Sequence, residues 1–399
     1  MADTPAADRH LRPGLRPAGD RGAAAHGTDT AAFSATVRAA LTDLSPNAPA
    51  DRVWAALGAC GALRGLYRRG VVTGTTPHPA KLAALLAAVD ARADNGVTLS
   101  VLVQVASAIP LLAARAPATG PVRRTLEEAL DGKASVALAA TDGAAPGSDL
   151  PGLATRVQIA PETVVVDGRK RWITTACTAE HLLVLARHRP GRHFTSFTWV
   201  LVPAATAGVQ VRPAGGDLLG AARTGHIDLT GVRLDADYLV GRPGRGMADF
   251  AHHMGTERLA GALWAVALTG RMLRDTRTAL TGRTVDGRPL WHNDAVRQRF
   301  ADCLVRARQL KALCEMLGER ITDDHDLVAA ALLKAATGPT VDHVLAECAQ
   351  LRGADGFAPG GVQEVRCEAG VFGIGGGVTG LVLATVADHA ETVLQELRS

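Results

Sequence analysis

The chain has 399 residues, 47% apolar and 21% charged, with a formal charge of +4 from 43 basic and 39 acidic side chains. That length fits two or three domains, and the composition excludes a disordered chain and a strongly basic nucleic-acid binder. Only seven Phe, five Trp and two Tyr are present, so the cores must be aliphatic.

Residues 1–30 mix Pro, Gly, Ala and Arg without periodicity, and four Arg balance four Asp; they read as a neutral disordered arm. Over 31–133, apolar residues recur at three- and four-residue spacing, as in RVWAALGACGALRGL and KLAALLAAVDARA, which predicts a helical domain. Over 134–242 the pattern changes to short β-rich runs cut by Gly, Pro and Asp: SVALAATD, ATRVQIA, TVVVDGRKRWIT, HLLVLARH, FTWVLVP, VQVRP and GHIDLTGVRL. These predict antiparallel strands. Over 243–399 helical periodicity returns in long blocks, broken at TGRTVDGRPLW and RGADGFAPGG. Six cysteines lie far apart with no CxxC and no paired His spacing. They predict neither a zinc site nor a disulfide framework and read as buried thiols of a cytosolic protein. No stretch of eighteen or more apolar residues is expected without charge, and the N-terminus lacks signal-peptide order, so a cytoplasmic protein without a membrane partner is expected.

The segment SVALAATDGAAPGSDLPGLATRV, followed by DGRKRWITTACTAEHLLVLAR, resembles the middle-domain signature of the acyl-CoA dehydrogenase family. LEEALDGKASVAL, VRLDADYLVGRPGRGM, TERLAGALWAVALTGRM, DGRPLWHNDAVRQRFADC and QLRGADGF extend the likeness in order over roughly residues 35–395. The resemblance implies an α+β fold: an N-terminal helical domain, a middle antiparallel β-barrel or sandwich, and a C-terminal four-helix bundle. It also implies FAD, held by Thr141, Ser148, Trp172 and Thr174. A reduced flavin needs donors at its pyrimidine edge and an apolar lid, and these residue types supply both. Arg283 matches an arginine on the cofactor diphosphate, and Gln350 and Gly353 match a late turn reaching a neighbouring subunit's flavin; a homodimer or homotetramer follows. Departures from the family pattern are Asp142 for the usual Glu, a displaced Pro146, Asp286 for Phe, Asp294 for Gln, and Ala354 for Gly. They bear on retention of FAD at the adenine side.

Oxidising an acyl thioester needs a carboxylate for the α-proton. Many family members carry it in an aromatic-Glu-Gly-Thr loop near the C-terminus, where this chain has VFGIGGGVTG and Gly376. A second family solution sets Glu directly before Arg on the first C-terminal-domain helix, and Glu257-Arg258 fits it. A Glu near a helix start is also favoured by the helix dipole alone. His253 lies four residues before Glu257 and reads as a polar helix-end histidine. Gly376 would offer its backbone N–H to the thioester oxygen. The expected function is FAD-dependent dehydrogenation of an acyl thioester carried by CoA or an acyl carrier protein, in specialised biosynthesis, with the electron acceptor open. Two alternatives stay open: a flavin monooxygenase or oxidase of this fold, and a flavin-free paralogue acting as a binding subunit.

Overall fold

The computed structural model describes residues 20–67, 76–143 and 150–398. Seven helices come first: α1 (Asp20–Thr42), α2 (Ala50–Ala59), α3 (Ala62–Gly65), α4 (Pro79–Asp90), α5 (Asn95–Val103), α6 (Ile109–Arg115) and α7 (Pro121–Leu130). Most of the arm reading falls on residues 1–19, outside the described residues. The part from Asp20 is corrected: it is already helical. In α4 the buried Leu82, Leu85, Leu86 and Val89 recur at helical spacing, and α5 starts where the Asp94 carboxylate accepts the Val97 N–H at 3.0 Å.

Between α5 and α6 the helix widens into one π turn, Gln104–Ala108, a local distortion frequent at functional sites. The span Asn95–Arg115 is long and apolar enough to cross a membrane, a run that the sequence reading passed over. It is 83% buried inside the protein, which makes it a core helix. A second apolar span, Val362–Asp388, is largely exposed. Its glycines break it into helices too short to cross a bilayer.

Eight strands follow: β1 (Val136–Ala139), β2 (Arg156–Ile159), β3 (Thr163–Ile173), β4 (His181–Arg187), β5 (Phe197–Pro203), β6 (Val209–Pro213), β7 (Gly225–Asp235) and β8 (Leu239–Val240). They form one sheet in the order β6-β7-β3-β2-β4-β5-β8, with β1 paired to β4. Most pairings are antiparallel; β1–β4 and β2–β4 are parallel, so the sheet is mixed. Strand β4 shows why its sequence is apolar throughout rather than alternating. Leu182, Val184 and Ala186 fill the interior of the β-domain, while Leu183 and Leu185 join the core of the helices.

The C-terminal part comprises α8 (Gly246–Gly282), a hairpin of β9 (Thr284–Val285) and β10 (Arg288–Pro289), α9 (Asp294–Asp323), α10 (Leu327–Arg352), α11 (Val362–Glu368), α12 (Val371–Ile374), α13 (Thr379–Asp388) and α14 (Ala390–Glu396). Asp286 at φ 50° and Gly287 at φ 74° make the hairpin turn, so Asp286 is a turn residue at a left-handed position that Asp tolerates. Asn293 and Asp326 cap α9 and α10 by accepting first-turn N–H groups.

Three buried polar links tie the parts together. Trp54 Nε1 donates to the Ala134 carbonyl at 2.9 Å, and Trp199 Nε1 to that of Gly246 at 2.9 Å. The Asp90 carboxylate takes Arg271 through Nε at 2.9 Å and Nη2 at 3.1 Å, and Trp264 Nε1 at 3.1 Å. The buried-thiol reading holds for Cys303, Cys314 and Cys348 but not for the rest: Cys60 and Cys177 are half-buried and Cys367 is exposed.

A close approach at Gly58 yields a stability prediction. A Cβ there would sit 2.2 Å from the backbone of Asp131 and Gly132. Gly58→Ala must push α2 away from the entrance to the β-domain and should cost about 1–3 kcal/mol in urea unfolding, typical of overpacking. A neutral effect would show that this contact is loose.

Candidate active site

The site grows from the π turn. Gln104 at its start accepts the Val136 N–H with Oε1 at 3.0 Å, fixing the turn to β1. Three residues on, Ser107 Oγ donates to Glu257 Oε2 at 2.5 Å. Glu257 lies eleven residues into the 37-residue α8, beyond the first turn where a helix dipole acts. The dipole therefore does not account for it.

Burial pushes the Glu257 carboxyl above its ordinary range; the Ser107 bond and the charges of Arg258 and Lys334 pull the other way. The neighbouring Ala260 and Ala262 are small and buried, and Gly261 has open space where a side chain would stand.

Gly376 arrives from the other side, in the loop between α12 and α13. It sits at φ 68°, and a Cβ on it would lie 4.0 Å from Glu257 Oε1, 3.4 Å from Arg258 Cγ and 4.0 Å from Lys334 Cε. The two residues singled out in sequence, 119 positions apart, are thus neighbours. The Gly376 carbonyl accepts Arg258 Nε at 3.0 Å, while its N–H has no protein acceptor among the described residues. A residue held through its carbonyl, whose N–H has no protein acceptor among the described residues, beside a carboxylate of raised pKa, can polarise a carbonyl and remove a proton next to it. The GIGGG string runs from the end of α12 into this loop, with no strand before it, so it is no dinucleotide motif.

Glu368 carries this C-terminal segment toward the site. Its carboxylate accepts Asn95 Nδ2 at 2.7 Å from α5 and the Leu219 N–H at 2.8 Å from the β6–β7 connection. Neither Ser107 nor Lys334 stood out in sequence, because a serine in an apolar run and a lysine in an alanine-rich helix carry no local signal.

The flavin candidates gather on the crest of the β-domain. Thr141 leaves β1 and accepts the Arg171 N–H at 3.1 Å, beside Trp172. Trp172 is 66% exposed, has φ 57° and sits edge-on to His226 at 5.1 Å between ring centroids. It is not a core residue. Thr174 follows it, half-buried, and Ser148 lies outside the described residues. Asp142 is turned inward: its carboxylate accepts the N–H groups of Ala154 at 2.6 Å and Thr155 at 2.8 Å, the Thr155 hydroxyl at 2.8 Å, and the buried Lys170 ammonium at 2.5 Å. This substituted residue orders the stretch that flanks the segment with Ser148.

Arg283, Gln350 and Gly353 form a separate exposed group at the far end of α8. A Cβ on Gly353, at φ 58°, would lie 3.7 Å from an Arg283 Nη. Arg283 follows Glu257 by 26 residues along this helix, about 39 Å at 1.5 Å per residue.

His253 corrects its sequence reading. It is 4% exposed within α8 and packs edge-on against His252 at 5.0 Å. Burial, with His252, His325 and Arg115 nearby, pushes its pKa from 6.5 down to about 3. The folded state therefore holds it neutral while the unfolded chain protonates it, so stability falls as pH drops from about 6.5 toward about 3. Thermal unfolding of His253→Gln should show a flatter pH slope in that window; an unchanged slope would assign the acid sensitivity elsewhere.

The family described as "Acyl-CoA dehydrogenase, middle domain" matches residues 137–232, and "Acyl-CoA dehydrogenase, C-terminal domain" matches 244–391. The chain is 31% identical over 305 residues, 73% of its length, to an acyl-[acyl-carrier-protein] dehydrogenase MbtN of Mycobacterium sp. (strain MCS), covering 75% of that protein. The chain belongs to the acyl-CoA dehydrogenase family. It is an oxidoreductase of that family, whose chemistry is dehydrogenation of acyl thioesters. Among solved structures, acyl-CoA dehydrogenase from Geobacillus kaustophilus superposes with TM-score 0.81 at 18% identity, covering 91% of this chain and 98% of that one. Glutaryl-CoA dehydrogenase from Mycobacterium smegmatis, solved with FADH2, gives 0.79 at 19%, covering 91% and 94%. Both likenesses concern the fold.

Proposed function

We propose that this protein is an FAD-dependent dehydrogenase that introduces an α,β-double bond into an acyl thioester, with Glu257 as the base. The observation that carries this reading is the meeting of Glu257 with Gly376 from a distant loop, whose N–H has no protein acceptor among the described residues. Glu257 takes the α-proton; Gly376 donates to the thioester oxygen as enolate charge develops. Ser107 holds the carboxylate in one orientation. Substrate that excludes water raises the carboxyl further and sharpens its basicity toward a carbon acid.

The crest of the β-domain fits a flavin. The exposed indole of Trp172 lies at the end of β3, just before Thr174 and next to Arg171, whose N–H donates to the Thr141 carbonyl, and neither threonine hydroxyl has a protein hydrogen-bond partner among the described residues. A flat ring system with polar edges matches that set. Bound FAD supplies the two-electron acceptor for the β-hydrogen.

About 39 Å of helix between Glu257 and Arg283 supports assembly as a homodimer or homotetramer, with Arg283, Gln350 and Gly353 serving the diphosphate end of a neighbour's cofactor. Exposed Leu381, Leu394 and Leu397 on the C-terminal helices favour such burial. Arg283→Gln should weaken FAD binding about tenfold or more, as loss of a charge-assisted hydrogen bond does. Turnover at saturating FAD should survive; FAD binding unchanged from wild type would remove Arg283 from the site.

The MbtN relatives' name points to a carrier-protein thioester as substrate. Incubation of the flavin-loaded protein with matched CoA- and carrier-linked saturated thioesters, scoring unsaturated product and peroxide, tests the reading. Unsaturated carrier-linked product is expected. Peroxide with no double bond would favour an oxidase, and no FAD binding would favour the flavin-free paralogue.

A further inference from the structure

Lys334 on α10 is only 4% exposed, yet it carries an ammonium where an aliphatic side chain would fill the space without desolvation cost. That ammonium donates to the Phe372 carbonyl, and the Phe372 ring packs on Trp264 at 4.6 Å between centroids. Four residues later Arg258 holds the Gly376 carbonyl. The glycine-rich loop 371–377, which is the one-turn α12 with the bend after it and has left-handed Gly376 and Gly377, is therefore pinned near both ends by cations. The Lys334 stem and the Glu257 carboxylate flank the same point above Gly376, each 4.0 Å from a Cβ placed there.

We propose that Lys334 is a positioning residue for α-proton abstraction, clamping the Gly376 loop against Glu257 and holding the Glu257 carboxylate in its ionised, proton-accepting form. The inference rests on the reading of Glu257 as the base. The charged groups facing Lys334 are Arg258 and Glu257, both from α8; loop 371–377, the π turn and the first turn of α13 contribute no titratable side chain. Burial and Arg258 push the Lys334 pKa from 10.5 down to about 8 against the pull of Glu257. Activity should therefore rise as Glu257 ionises and fall as Lys334 loses its proton near pH 8.

The test is the pH dependence of solvent-deuterium exchange at the substrate α-carbon, catalysed by flavin-loaded wild type, Lys334→Met and Lys334→Arg. In Lys334→Met the alkaline limb should vanish, its plateau lying at the low rate that wild type reaches above pH 8, and the acidic limb should move up by about one unit or more, the effect of removing a nearby opposite charge. At pH below that limb this is about a tenfold loss of rate. Lys334→Arg should keep the acidic limb near its wild-type position and also lack the alkaline limb, because a guanidinium does not titrate there. Backbone hydrogen exchange of loop 371–377, read by mass spectrometry without substrate, should speed up in Lys334→Met by about tenfold. Wild-type limbs in a folded Lys334→Met protein would overturn the electrostatic role, and unchanged loop exchange would overturn the clamp. Failure of the base reading itself would show instead as wild-type exchange in Glu257→Gln, a result that leaves the loop measurement independent.

Discussion

A folded, flavin-loaded Glu257→Gln protein should reduce its flavin about 10²- to 10⁴-fold more slowly than wild type with a saturated acyl thioester, the span expected for loss of a general base. Glutamine preserves volume and can keep a hydrogen bond with Ser107, so substrate binding should change little. Gly376 brings no side-chain base, and residues 371–377 hold no acidic side chain that could replace the carboxylate. Ser107→Ala makes a milder companion. It removes the 2.5 Å bond that orients Glu257 and should lower the rate less than the Gln substitution does, without abolishing it. Stopped-flow reduction under anaerobic conditions measures both.

The second large effect concerns stability. Asp142→Ala leaves Lys170, which is fully buried, without its ionic partner and with the Ala140 carbonyl as its remaining acceptor, and strips an acceptor from the N–H groups of Ala154 and Thr155 and the Thr155 hydroxyl. Breaking a buried pair from one side costs about 3–5 kcal/mol. Burial already pushes Lys170 down to about 8 despite the attraction of Asp142. Without that attraction its pKa falls further, so the variant should gain more than wild type on moving from neutral to alkaline pH. Because Thr141 directly precedes this carboxylate, flavin affinity should fall with stability. A loss below about 1 kcal/mol in urea unfolding would mean that the sheet relaxes around the missing group.

Much of this molecule is legible in its residues, and the exceptions have physical causes. The strands stand out because β-branched and aliphatic runs end at Gly, Pro and Asp, and β4 could be read although it alternates nowhere. The pairing of Glu257 with Gly376 was readable as a reciprocal pattern of side-chain gain and loss. Their contact depends on a loop path that no local signal encodes. Ser107 was hidden because only a π turn, set by tertiary contacts of Gln104 and Tyr67, aims it at α8. Lys334 was hidden because its meaning comes from burial. His253, read as a polar helix-end residue, is buried, whereas Trp172, read as a flavin contact, is exposed. At Trp172 an exposed indole at positive φ is what a flat ligand requires, and local propensity does not anticipate it.

The measurement that bears most directly on the central claim is an anaerobic titration of the FAD-loaded protein with saturated acyl thioesters, on carrier protein and on CoA, followed by visible absorbance in wild type and Glu257→Gln. The account predicts bleaching of the wild-type flavin by at least one thioester, with release of its α,β-unsaturated form, and a persistently oxidised flavin in the variant over the same time. Bleaching at equal rates in both proteins would contradict it.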